Sequence, residues 1–275
     1  MRSRSALRRV TTHAILLCGA VVCATPFVWM VLTSLKTAPE VAQSPPSLLP
    51  KLWLFRNYLE AFAAAPFARY FANSFGVATA VLLGVVTTSA MAGYAFARLE
   101  FTGKRVMFGA FLATMMVPFE VTFIPNFVII SHLGLHNTYP ALVLPWIANA
   151  FSIFLLRQFF LAMPEDYFDA ARADGCGHWQ FLVRIAAPIA KPALTTVAIF
   201  AFLGSYNALL WPLVVTNETS MRVVQVGLSY FRTEQGTQYP LLMAAATLII
   251  IPTVAIYFVA QRQFLEAAIA SGVKG

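Results

Sequence analysis

Six stretches of this chain, at about 12–35, 70–97, 106–130, 140–160, 192–215 and 240–261, each reach the roughly 20 mostly apolar residues that a helix needs to cross a bilayer. Backbone N–H and C=O groups at that depth find no water. A spanning segment of this length must therefore satisfy them within itself, as a helix. Composition agrees: 59% of the 275 residues are hydrophobic and 11% charged, too few polar groups to cover a soluble globule. The expected fold is an all-α integral membrane protein with a six-helix domain over 12–261, an N-terminal segment 1–11 and a C-terminal tail 262–275. Prolines 26, 118, 125, 145, 212 and 252 lie inside the spans, where neighbours can re-satisfy the carbonyls they free. In "MMVPFEVTFIPNF", Glu120 stands between Pro118 and Pro125, which predicts a helix that ends near Pro118 and then folds back.

Charge then sets orientation. The net +8 is dispersed between apolar runs, with no basic patch interleaved with aromatics, so nucleic acid is not an expected partner and membrane lipid is. With both termini in the cytoplasm, the inner segments hold 13 Lys and Arg residues and the outer segments 6, the asymmetry of the positive-inside rule. The N-terminal run Ala14 to Leu35 is about twice the length of a signal-peptide core, and is expected to be an uncleaved anchor. Cys18, Cys23 and Cys176 offer no disulfide framework. Between the first two spans, "FRNYLEAF" predicts a short surface helix.

The polar stretch 161–191 stands apart from its apolar surroundings. Pro164 suits the first position of a helix, Glu165, Asp166 and Asp169 complement its dipole, and Gly175 is placed to stop it after about 11 residues, far short of a span. Tyr167, Ala170, Ala171 and Asp174 recur at three- and four-residue spacing and are expected to share a face. "HWQFLVRIAAP" predicts a second helix ended by Pro188. Spacing alone leaves two readings: a docking helix whose small residues admit another surface, or a solvated hairpin that joins two spans.

The stretch resembles the EAA loop of the inner-membrane permeases of ATP-binding-cassette importers. Asp169, Ala170 and Ala171 stand at its first three positions, Gly175 at its glycine, Ile185 at its isoleucine and Pro188 at its proline; Asp replaces the usual Glu, and Ala187 the usual Leu. "NYLEAF", "SAMAGYAFARLEFTGKR", "LGLHNTYPALVLP", "YNALLWPL" and the terminal "SGVKG" extend the likeness to the second permease of carbohydrate importers, the class of maltose and glycerol-3-phosphate permeases. The resemblance implies the type I importer permease fold. It implies a coupling helix that docks on a separate ATPase through Asp169, Ala170, Ala171, Asp174, Gly175, Ile185 and Pro188. It also implies a second homologous permease, a dimer of ATP-binding subunits and an extracytoplasmic substrate-binding protein as partners. The terminal tail is expected to touch the ATPase.

The chain has no G-x-x-x-x-G-K-[ST] phosphate loop, so it is expected to bind no cofactor itself and to rely on ATP and Mg held by the partner ATPase. No protease signature occurs, and no enzymatic activity is expected. His132 and His136 flank Gly134 in an outer loop and are not expected to hold a metal. Glu120 is either a pathway acid or hydrated at the interface. Asn207, with Tyr206 and Trp211, either faces the translocation pathway or joins helices. A stand-alone secondary transporter or channel is the alternative class, and a non-carbohydrate solute the alternative within the family.

Overall fold

The computed structural model describes residues 2–233 and 236–272. Its elements run in chain order as α1 (Arg2–Ser34), α2 (Ala38–Val41), α3 (Arg56–Ala64), α4 (Phe67–Arg98), α5 (Lys104–Thr114), α6 (Phe119–His132), α7 (Tyr139–Val143), α8 (Ala150–Leu161), α9 (Asp166–Ala173), α10 (His178–Phe181), α11 (Ala187–Ile189), α12 (Lys191–Tyr206), α13 (Leu210–Val215), α14 (Val224–Gly227), a short antiparallel pair β1 (Arg232–Thr233) and β2 (Gly236–Thr237), and α15 (Tyr239–Gly272). Thr11–Ser34, Phe67–Arg98 and Tyr239–Gln261 are long and apolar enough to cross a membrane. The count among the described residues rises to six when each of three bent helix pairs is taken as one span. The tail expected at 262–275 continues as helical backbone to Gly272; its side chains and residues 273–275 lie outside the described residues.

The bends sit where the chemistry puts them. Pro118 caps α6 with extended backbone, and α5 meets α6 at 101°, the fold-back that its two prolines predict. Leu144–Trp146 forms a 3-10 turn around Pro145, Asn149 then caps α8 by accepting the Ser152 amide at 2.9 Å, and the two halves differ by 46°. The fifth stretch departs from expectation. Instead of one helix over 192–215, α12 ends at Tyr206 and α13 begins at Leu210. Pro212 lacks the N–H that would bond the Ala208 carbonyl and is seated in the first turn of a new helix.

The chain divides into two compact units, each with its own contacts. The smaller comprises residues 1–67 and 227–251. In it Phe67 stacks on Phe231 at 5.9 Å, and the loop after α1 folds over buried polar residues. Asn57, on the helix predicted from "FRNYLEAF", donates to the carbonyls of Ser34 and Lys36 at 2.8 and 3.0 Å. The larger unit, residues 68–226 and 252–275, holds the main apolar core, where α4, α8, the 161–191 stretch and α12 to α14 contribute Val81, Tyr94, Leu156, Phe160, Phe181, Val197, Trp211 and Val226.

Candidate functional site

The 161–191 stretch folds as a helical hairpin against the ends of α4 and α8. Its first helix, α9, has 8 residues, about 12 Å, and is shorter than expected because it begins at Asp166, after a cap at Glu165, instead of at Pro164. Its end matches the expectation in detail. Gly175 takes φ +74°, its N–H donates to the Arg172 carbonyl at 3.0 Å, and Cys176 N–H reaches back to Ala171 at 2.8 Å. This paired closure satisfies two carbonyls left over by the helix and needs a left-handed residue at that point. A Cβ on Gly175 would meet nothing within 4 Å, so conformation, not space, selects glycine here.

The expected face is split. Tyr167, Asp169, Ala170 and Asp174 are exposed, whereas Ala171 is 5% exposed and turned into the core. Of the alanine pair, then, only Ala170 offers its backbone to an approaching surface; Ala171 lets α9 lie close to its own protein. Asp169 makes no side-chain hydrogen bond or ion pair with a described residue and leaves its charge available. Trp179, in the second half of the hairpin, adds a 62% exposed indole to this outer surface.

The inner surface is aromatic. Phe168 of α9 stacks on Phe181 of α10 with centroids 4.0 Å apart, and both rings face Tyr94 of α4 at 6.4 and 6.1 Å. The Tyr94 hydroxyl and His178 Nδ1 share a 3.0 Å hydrogen bond. The second helix does not stop at Pro188. Leu182–Ala186 forms a π-helical turn, with Ala187 N–H bonding to Leu182 five residues back, and helix resumes through Ile189. Proline cannot donate to the Arg184 carbonyl, and the wider turn absorbs the mismatch. The direction then changes by 83° into α12. Ile185 is half-buried against the core, and Pro188 is exposed.

Arginines join the hairpin to the long helices. At Gly93, where a Cβ would lie 3.1 Å from the Arg157 amide nitrogen, α4 and α8 approach closely. Their ends exchange hydrogen bonds: Arg98 Nε donates to the Phe160 carbonyl and Arg157 Nε to the Phe96 carbonyl, both at 3.1 Å. Cations placed on the last carbonyls of helices complement the helix dipole. The sequence marks Arg98 only as one of the inner cations and as part of "SAMAGYAFARLEFTGKR", with no site role of its own.

The pathway candidates are not brought together. Tyr206 is buried, its ring 5.5 Å from Phe75 and 5.9 Å from Phe202, so within this chain it packs against aromatic neighbours. Asn207 is exposed at the end of α12, donating to the Leu203 carbonyl at 2.9 Å and accepting from Gln225 at 3.3 Å. Glu120 is exposed in the first turn of α6. Trp211 is buried, donates its indole N–H to the Ala141 carbonyl at 2.9 Å, and lines a cavity of about 300 Å³ together with Ser74, Trp146, Asn149, Ser152 and Ser205. None of the described residues lining it is charged. His136 bonds Ser131 at 2.7 Å, and no cluster of metal-ligating side chains occurs among the described residues.

Comparison with known proteins assigns this architecture. Residues 84–269 match the family described as binding-protein-dependent transport system inner membrane component. The diacetylchitobiose uptake system permease protein NgcG of Streptomyces coelicolor is 34% identical over 92% of this chain and 84% of its own length. The arabinooligosaccharides transport system permease protein AraQ of Halalkalibacterium halodurans is 32% identical over 91% of each chain. The sn-glycerol-3-phosphate transport system permease protein UgpE of Agrobacterium fabrum is 32% identical over 96% of each. In fold, the chain superimposes on a bacterial ABC transporter involved in the import of the acidic polysaccharide alginate with a TM-score of 0.82, at 23% identity, covering 94% of this chain and 96% of that one. The chain therefore belongs to the family of binding-protein-dependent transport system inner membrane components, as a permease subunit of an ATP-binding-cassette importer.

Proposed function

We propose that this permease forms half of a translocation pathway for an uncharged saccharide and is driven through the outer surface of α9, which docks on a separate ATP-binding subunit. The observation that carries the reading is the form of the 161–191 hairpin: a short stiff helix, closed by Gly175, with Tyr167, Asp169, Ala170 and Asp174 outward and an aromatic inner face seated on α4. A rigid element of this kind passes on displacement, and two arrangements of the bundle supply the states between which it switches. Asp169 pairs with a basic group of the ATPase, Ala170 permits close approach, and Gly175 makes the turn. Ala171 and Ile185 shape the hairpin from within, and Pro188 from its exposed face. The partners are a second homologous permease, a dimer of ATP-binding subunits that hold ATP and Mg, and an extracytoplasmic binding protein. Both termini and the hairpin lie in the cytoplasm.

An uncharged saccharide is favoured by the cavity at Trp211, whose lining combines indole rings with hydroxyls and an amide and offers no cation to a phosphate or carboxylate. Glycerol phosphate or another non-carbohydrate solute is the alternative within the family.

The test is mass spectrometry of what co-purifies with the tagged chain in mild detergent, beside the same preparation carrying Gly175→Arg. Recovery of an ATPase and a second permease, with the ATPase lost from the variant, is expected. A chain that purifies alone, or one that keeps its ATPase in both forms, would overturn the docking role.

A further inference from the structure

We infer that Arg98 is a positioning residue that clamps the docking helix to the membrane helices, so that movement of α9 is delivered to α4 and α8 instead of being absorbed by the loop between them. The inference rests on the docking reading above and extends it to a residue outside the 161–191 stretch.

One guanidinium makes four contacts with three successive pieces of chain. Its Nε donates to Phe160 at the end of α8, one Nη to the Met163 carbonyl in the linker at 2.6 Å, and the other Nη to Glu165 at the cap of α9 at 2.7 Å. Its plane lies over the Phe168 ring of α9, 3.9 Å from the centroid. The arginine itself ends α4. The side chain is 10% exposed, so its bonds to the two carbonyls form largely out of water, where a charged donor is stronger than a neutral one. The Glu165 carboxylate is 71% exposed, and a pair with that much solvent contributes little. The carbonyls and the ring therefore carry the clamp. Three donors at fixed angles with a flat face to stack on are properties of guanidinium, and an ammonium keeps the charge but not the fork.

A reporter of long-range movement tests this without knowledge of the solute. The purified complex, with Cys18, Cys23 and Cys176 changed to Ser and Asn207→Cys added, is labelled with a maleimide in nanodiscs, with and without Mg-ATP and vanadate. Asn207 is exposed and belongs to the far end of α12, away from the hairpin in sequence. The reporter alone should change its labelling rate about fivefold or more when nucleotide is trapped. Adding Arg98→Lys should flatten that response while the ATPase still co-purifies, and adding Glu165→Gln should leave it intact. Loss of the ATPase from an R98K chain that still holds the second permease also supports the clamp, because α9 is then no longer presented. A full nucleotide response in R98K overturns it. Should R98K fail to accumulate, Phe168→Leu decides: a weakened response sustains the inference, and an unchanged one removes it. A complex that never contains an ATPase, or a reporter indifferent to nucleotide in the parent protein, defeats the docking reading and the clamp together.

Discussion

Glu40 is buried in α2, just after α1, yet its surroundings favour the ionised carboxylate. Burial opposes its charge, but the Lys51 amide at 2.8 Å, the Ser47 hydroxyl at 3.1 Å, Thr37 and the Lys36 ammonium outweigh that and hold the carboxyl below its ordinary value of 4.5. Lys36 is itself buried, with its Nζ 4.6 Å above the Trp29 ring and bonded to the Ser47 carbonyl. A carboxyl lowered by folding stabilises the fold above its unfolded value and loses that effect as pH falls through the folded one. The melting temperature in detergent should therefore drop as pH falls below the ordinary value of 4.5, and more gently in Glu40→Gln. Equal acid limbs in the two proteins would show that the network does not matter to stability. In the hairpin, Phe181→Ala removes the partner of the 4.0 Å stack on Phe168. A loss of about 3–5 kcal/mol is expected for a buried phenylalanine, read as faster amide exchange over 166–181. Which alanine of the pair faces outward was hidden at this scale, because spacing defines a helical face but not the direction in which it looks.

Among the elements, α4 makes the sharpest contrast. A Cβ on Gly84 would lie 2.6 Å from Cγ2 and 2.9 Å from Cβ of Ile147, atoms too near the backbone to swing away, whereas one on Gly76 meets nothing within 4 Å. Gly84→Ala should cost about 1–3 kcal/mol through overpacking. Gly76→Ala should gain up to about 1 kcal/mol from helix propensity. Melting of the two variants side by side checks this, and equal melting points would mean that the α4 contact yields freely. At Gly175, Asn tolerates the left-handed backbone better than Ala. Gly175→Asn should thus keep more bound ATPase than Gly175→Ala; the reverse order would move the constraint from the backbone to the docking face. Both the Gly175 turn and the Pro118 fold-back were legible in the sequence, since each follows from one residue's own torsional chemistry. The continuation of helix past Pro188 was not. It depends on whether neighbouring residues tolerate a π-helical turn in place of a break.

At the scale of the whole molecule, orientation is open to test with the native thiols. Cys176 is half-buried in the hairpin, and Cys18 and Cys23 lie within the first apolar helix. A membrane-impermeant maleimide should label Cys176 in inside-out vesicles and not in intact cells, judged against a C176S control; labelling from outside would invert the proposed topology. The long apolar runs, the break at Pro118 and the polar hairpin before α12 followed from the sequence alone. Apolar period, proline and glycine act within a few residues, and a bilayer leaves the backbone no alternative to helix. Only the tertiary structure decided that Arg98 meets Phe160, Met163, Glu165 and Phe168, residues more than 60 positions away. It likewise decided that Tyr206 meets Phe75 and that Trp211 borders a cavity. Such meetings depend on how helix faces nest against one another, and the energy of that packing belongs to surfaces that no local stretch of sequence contains.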